Sequence, residues 1–188
     1  MSALLVSTFV VAVAEIGDKT QLLSLLLAAR FRKPIPIIAG IAVATLANHA
    51  LAALVGEGVR AQLGPEVLRW AIGLSMLAIA AWALRPDRYD GSVERRGRWG
   101  VFAVTCVAFF LVEIGDKTQI ATVVLAAQYH ALVAVVLGTT AGMLIANIPV
   151  VLFAHRFADR VPLQWVRIAA AAMFAALGAL ALAGYVSA

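Results

Sequence analysis

The chain has 188 residues, 63% of them apolar and only 13% charged, with a formal net charge of +5. Soluble domains carry roughly 25% charged residues and could not hide this much apolar surface at such a length, so composition excludes an ordinary water-soluble fold and implies an all-α polytopic membrane protein. The positive charge would suit nucleic acid, but the arginines sit in short links between apolar runs, where they read as topology signals, and no nucleic-acid partner is expected.

Six apolar runs of spanning length follow one another, at about residues 3–29, 35–55, 67–85, 101–127, 131–153 and 165–186. The first has no Lys or Arg before Lys19 and is too long for the apolar region of a cleaved signal peptide, so it is expected to be a span. Arg30-Phe31-Arg32-Lys33-Pro34 closes it, because Pro34 disfavours helix at the residue before it. The second link is expected over 56–66, and the third, over 86–98, is the most polar. Gln128-Tyr129-His130 makes a tight fourth turn, and residues 155–164, with Pro162, make the fifth. Trp70, Trp82, Trp99 and Trp165 fall near span ends, as interface anchors do. The single cysteine, Cys106, excludes an internal disulfide, argues against a thiolate metal site, and is expected to pack as a small hydrophobe.

Of the 15 Lys and Arg residues, Lys19 and Lys117 lie inside spans; eleven of the rest belong to links one, three and five, against Arg60 and Arg69 on the opposite side. The positive-inside rule then makes the odd links cytoplasmic and places both termini outside.

A heptapeptide occurs twice, Glu15-Ile16-Gly17-Asp18-Lys19-Thr20-Gln21 and Glu113-Ile114-Gly115-Asp116-Lys117-Thr118-Gln119, at an offset of 98. Gly40 and Gly138, Leu46 and Leu144, and Arg69 and Arg167 keep the same offset, while Asn48 and Asn147 miss it by one residue. The chain thus divides into two three-span repeats, residues 1–92 and 93–188. An odd number of spans per repeat makes the second enter the membrane from the other side, and such inverted repeats are common in secondary transporters, with sites near the midplane.

A charge at the centre of a membrane helix costs at least about 2.5–3.5 kcal/mol, so three in each motif call for compensation and for a use. On a continuous helix Glu15, Asp18 and Lys19 share one face, as do Glu113, Asp116 and Lys117. Gly17 and Gly115 permit close helix approach or a local break. Thr20, Thr118, Gln21 and Gln119 add neutral oxygens, and Asn48 and Asn147 offer amide oxygens or interhelical hydrogen bonds. If the motifs meet, four carboxylates against two ammoniums leave two negative charges, which one divalent cation or two protons would neutralise. That equivalence is what a metal/proton exchanger requires. An all-oxygen set favours hard ions such as Ca²⁺, Mg²⁺ and Mn²⁺ over Zn²⁺ or Cu⁺. A register-fixing ion pair is the bland alternative, but it needs one pair rather than six recurring charges. His49, beside Asn48, is a candidate proton relay or ligand with no histidine counterpart in the other half; His130 and His155 fall at span ends and read as solvated.

At this motif the sequence resembles the Gdt family, also known as the transmembrane-protein-165 family, whose mark is Glu-apolar-Gly-Asp-Lys/Arg-Thr/Ser once in each of two three-span halves. Both copies match at every position, and the resemblance covers essentially the whole chain. It implies exchange of Mn²⁺ or Ca²⁺ for protons, with Mn²⁺ export across the cytoplasmic membrane in bacterial members. By motif it implies cation and proton binding by Glu15, Asp18, Glu113 and Asp116, completed by Lys19, Lys117, Thr20 and Thr118. The short central link and lack of a long N-terminal extension favour a prokaryotic member, placed in the inner membrane. No cofactor is expected beyond the transported ions, and no enzyme activity, since neither a Ser/His/Asp set nor a His-Glu-x-x-His motif occurs. The rivals are a Ca²⁺/proton antiporter of the same fold, a cation channel and an organic-solute exporter.

Overall fold

The computed structural model describes residues 2–85, 100–129, 131–153 and 163–184. The polar third link with Trp99, His130, and the fifth link with His155, Arg156, Arg160 and Pro162 lie outside the described residues. Among those described, every regular element is a helix: α1 Ser2–Glu15, α2 Lys19–Phe31, α3 Pro34–Gln62, α4 Pro65–Ala83, α5 Val101–Glu113, α6 Lys117–Gln128, α7 Leu132–Leu152 and α8 Leu163–Leu182. Proline opens α3 and α4 at a position where its missing N–H is no loss and its fixed φ suits the first turn. The helix expected over 35–55 runs on to Gln62, so the second link shrinks to Leu63 and Gly64.

The largest departure from expectation lies at the motifs. Residues 3–29 and 101–127 do not form continuous helices; each run is two helices separated by three residues. Gly17 takes φ +80° and Gly115 φ +75°, a left-handed conformation that terminates an α-helix and that glycine adopts without the penalty a Cβ would bring. Asp18 and Asp116 then return the chain to extended geometry, at φ −82° with ψ 168° and 164°, and serve as N-caps of α2 and α6. The shared helix face read from i, i+3 and i+4 spacing is therefore absent, because each Glu ends one helix while its Asp and Lys begin the next.

Polarity runs inside out. Leu5, Phe9, Ile35, Val133 and Trp165 are exposed, while Ser7, Ser24, Thr45, Thr105, Thr122, Thr139 and all four motif carboxylates are buried. Such an arrangement suits a hydrocarbon solvent, in which packing and internal hydrogen bonds hold helices together. The helices α3, α4 and α7 are long and apolar enough to cross a membrane by length and composition, and Ala3–Glu15, Val101–Glu113 and Ile168–Leu182 are shorter apolar helices.

Packing is crossed between the halves. The helix α1 lies chiefly on α7, α5 and α6 lie on α3, α3 meets α7, and α4 packs on α8. A Cβ on Gly138 would fall 2.6 Å from the Leu4 carbonyl oxygen, and one on Gly40 would fall 3.0 Å from that of Phe102. Both glycine contacts are thus close backbone approaches, and the two are related by the 98-residue offset on each side. They bring the two helix breaks to the same interior region.

Candidate cation site

Each break is held open by its own motif. Gln21 Oε1 accepts the Gly17 N–H at 2.8 Å, and Gln119 Oε1 accepts that of Gly115 at 2.7 Å. The Thr20 hydroxyl donates to Glu15 Oε2, and the Thr118 hydroxyl to Glu113 Oε1. One oxygen of each glutamate is thereby tied down, while Glu15 Oε1 and Glu113 Oε2 have no hydrogen-bond partner among the described residues. The glutamines, expected as neutral oxygens of the site, brace a broken helix through those oxygens.

The motifs meet through reciprocal ion pairs. Lys19 Nζ lies 3.1 Å from Asp116 Oδ1, and Lys117 Nζ lies 2.9 Å from Asp18 Oδ2. Each lysine thus serves the aspartate of the other half. The pairs are unequal in surroundings, since the Lys19 side chain is 22% exposed and that of Lys117 only 4%.

Ligand atoms of Glu15, Glu113 and Asp116 lie within 4.8 Å of one another, and all three residues are buried. Asp116 contributes freely because its side chain does not cap α6, and its Oδ2 lacks a hydrogen-bond partner among the described residues. Asp18 is not part of this group. Its Oδ1 accepts the Lys19 N–H at 2.6 Å and its Oδ2 faces Lys117, so both oxygens are engaged. Three converging carboxylates with open oxygens form a hard, oxygen-rich cradle of the kind that suits a divalent cation. Left empty and ionised, such a group repels itself and is poorly solvated.

Neighbouring polar residues are used differently in the two halves. Asn48 Nδ2 donates to the Phe110 carbonyl at 3.1 Å, and its Oδ1 accepts from Gln119 Nε2 at 2.6 Å. Asn147 Oδ1 accepts from the Ser24 hydroxyl at 2.6 Å, and its Nδ2 donates to the Met143 carbonyl at 3.0 Å. Gln21 Nε2 instead reaches the Ala146 carbonyl at 2.9 Å. Both asparagines therefore tie helices together, which was one of the two uses open to them. His49, buried in α3, places Nε2 3.9 Å from Glu113 Oε1.

No solved structure matches the chain. A Vibrio cholerae serotype O1 protein described as a "Putative manganese exporter" is 56% identical over 175 residues, spanning 93% of this chain and 87% of that protein. The sequence profile described as "Divalent cation/proton antiporter GDT1" matches residues 3–91 and 101–187. This membrane protein therefore belongs to the GDT1 family of divalent cation/proton antiporters, a family of transporters rather than enzymes.

Proposed function

We propose that the protein removes Mn²⁺ from the bacterial cytoplasm in exchange for inward-moving protons. The observation that carries this reading is the convergence of Glu15, Glu113 and Asp116 beside two crossed lysine–aspartate pairs. The pairs neutralise both aspartates, so the two glutamates account for the remaining negative charge. One divalent cation or two protons would neutralise them, whereas an empty ionised site would be costly to carry across the membrane interior.

In this mechanism Glu15, Glu113 and Asp116 bind the ion directly. Asp18 joins them when Lys117 is displaced. Thr20 and Thr118 orient the glutamates, and Gln21 and Gln119 keep the breaks open. The protein is proposed to span the cytoplasmic membrane six times as two inverted three-span repeats, with both termini outside and the arginine-rich links inside. The site then lies between repeats that rock about it. Export of Mn²⁺ follows the name of the Vibrio relative, and proton exchange follows the family.

The test uses proteoliposomes carrying a metal-sensitive and a pH-sensitive dye, with Mn²⁺ or Ca²⁺ added outside. Metal entry with matching proton release, faster for Mn²⁺, is the expected result. Metal entry without proton movement would indicate a channel, preferential Ca²⁺ exchange would indicate the calcium rival, and no flux of either ion would revive an organic-solute exporter.

A further inference from the structure

His49 is the polar residue of the site region that the mechanism above leaves unused. It is fully buried, and among the described residues neither ring nitrogen has a hydrogen-bond partner. Buried polar groups are ordinarily paired, and one left without a partner calls for an explanation. The ring is not lost in apolar packing, because Nε2 lies 3.9 Å from Glu113 Oε1. That distance is too long for a hydrogen bond. It does suit two ligands of one ion, since donors each bound at about 2.1–2.2 Å can sit up to about 4.4 Å apart.

The repeat isolates what is special about this position. At the 98-residue offset His49 corresponds to Asn147. Asn147 is consumed in structure, with its oxygen taken by Ser24 and its amide by Met143. In the first half that helix-tying task falls one residue earlier, on Asn48, which holds Phe110 and Gln119. The shift of one residue between the two asparagines thus has a physical consequence: it releases the position equivalent to Asn147 from structural duty, and that position is a histidine facing Glu113.

We propose that His49 is a direct nitrogen ligand of the transported cation and the residue that makes the site prefer Mn²⁺ to Ca²⁺ and Mg²⁺. This rests on the cation-transport reading above. Glu15, Glu113 and Asp116 supply oxygens, which serve all three ions. An imidazole nitrogen favours a first-row transition metal and contributes little to Ca²⁺ or Mg²⁺. The ligand set is thereby one-sided, because the other half has an asparagine, with no imidazole nitrogen, at the matching position.

The direct test is pulsed electron paramagnetic resonance on the full-length protein loaded with Mn²⁺, prepared with natural-abundance histidine and with histidine labelled by ¹⁵N in the ring. Nitrogen modulation on the Mn²⁺ signal that changes character with the label is expected, and its loss in His49→Asn assigns it to this residue. The same variant should lower the Mn²⁺-over-Ca²⁺ preference by about tenfold or more, the scale on which metal sites respond to losing a supporting group. Mn²⁺ bound by the wild-type protein without histidine modulation would overturn the role of His49 while leaving the transport reading standing. Absence of Mn²⁺ binding by the wild type would overturn both. The labelling experiment needs no variant, so it decides the question even if His49→Asn folds poorly.

Discussion

The two helix breaks are nearly the same object in backbone terms and different objects in chemistry. Gly17 and Gly115 differ by 5° in φ, the capping aspartates by 4° in ψ, both glutamines accept their own glycine N–H, and both threonines donate to their own glutamate. Yet Asp18 spends one oxygen on the α2 cap and the other on Lys117, whereas Asp116 makes no side-chain cap bond, faces Lys19 with one oxygen and joins Glu15 and Glu113. A duplicated motif therefore fixes a scaffold without fixing the use of each copy.

The strongest way to break this comparison is to remove one glutamate from either side. Glu15→Gln and Glu113→Gln each keep shape and lose a titratable ligand, and each should reduce Mn²⁺ flux in proteoliposomes to that of empty vesicles; wild-type flux in either would show that one break suffices. The aspartates should separate by type of defect. Asp116→Asn is expected to weaken Mn²⁺ binding about 10–100-fold by titration. Asp18→Asn keeps a good helix cap but leaves the buried Lys117 without its carboxylate, and should lower stability by about 3–5 kcal/mol in detergent unfolding. Equal binding losses in both would erase the asymmetry.

Gly115→Ala sharpens the backbone half of the comparison. Nothing lies within 4 Å of the added Cβ, so any loss is conformational, about 1–2 kcal/mol for a left-handed residue. An unchanged unfolding midpoint would mean that the break is not held in that geometry. The smallest effect expected is the difference between Gln119→Ala and Gln21→Ala. Both lose the brace on a glycine N–H and one Nε2 bond, Gln21 to the Ala146 carbonyl and Gln119 to Asn48 Oδ1; the carbonyl inside α7 keeps its helical partner while the amide oxygen does not, so the Gln119 variant should be less stable by about 1 kcal/mol.

Much of this was legible in the chain. The recurrence of six charges inside two apolar runs marks the motif residues as candidates, and the excess of four carboxylates over two ammoniums is read directly from the two heptapeptides. The choice of partner was hidden, because two identical heptapeptides carry no label saying whether Lys19 serves Asp18 or Asp116; crossed packing of α1 on α7 and of α5 on α3 makes that choice. Gly17 and Gly115 admitted either close approach or a break, and only the positive φ values select the break. Spacing on an unbroken helix then misled, since it put Glu15 and Asp18 on one face although they belong to different helices. His49 was visible as an oddity without a counterpart, but that neither ring nitrogen has a hydrogen-bond partner among the described residues is a tertiary fact that no spacing carries.

The central claim is that Glu15 and Glu113 carry either one divalent cation or two protons between them. The measurement that tests it most directly is the number of protons released per Mn²⁺ taken up by proteoliposomes, read at several imposed membrane potentials. The account predicts about two protons per Mn²⁺ and a rate indifferent to potential, since the site moves neutral with either cargo. Mn²⁺ uptake driven by the potential with no proton counterflow would contradict it.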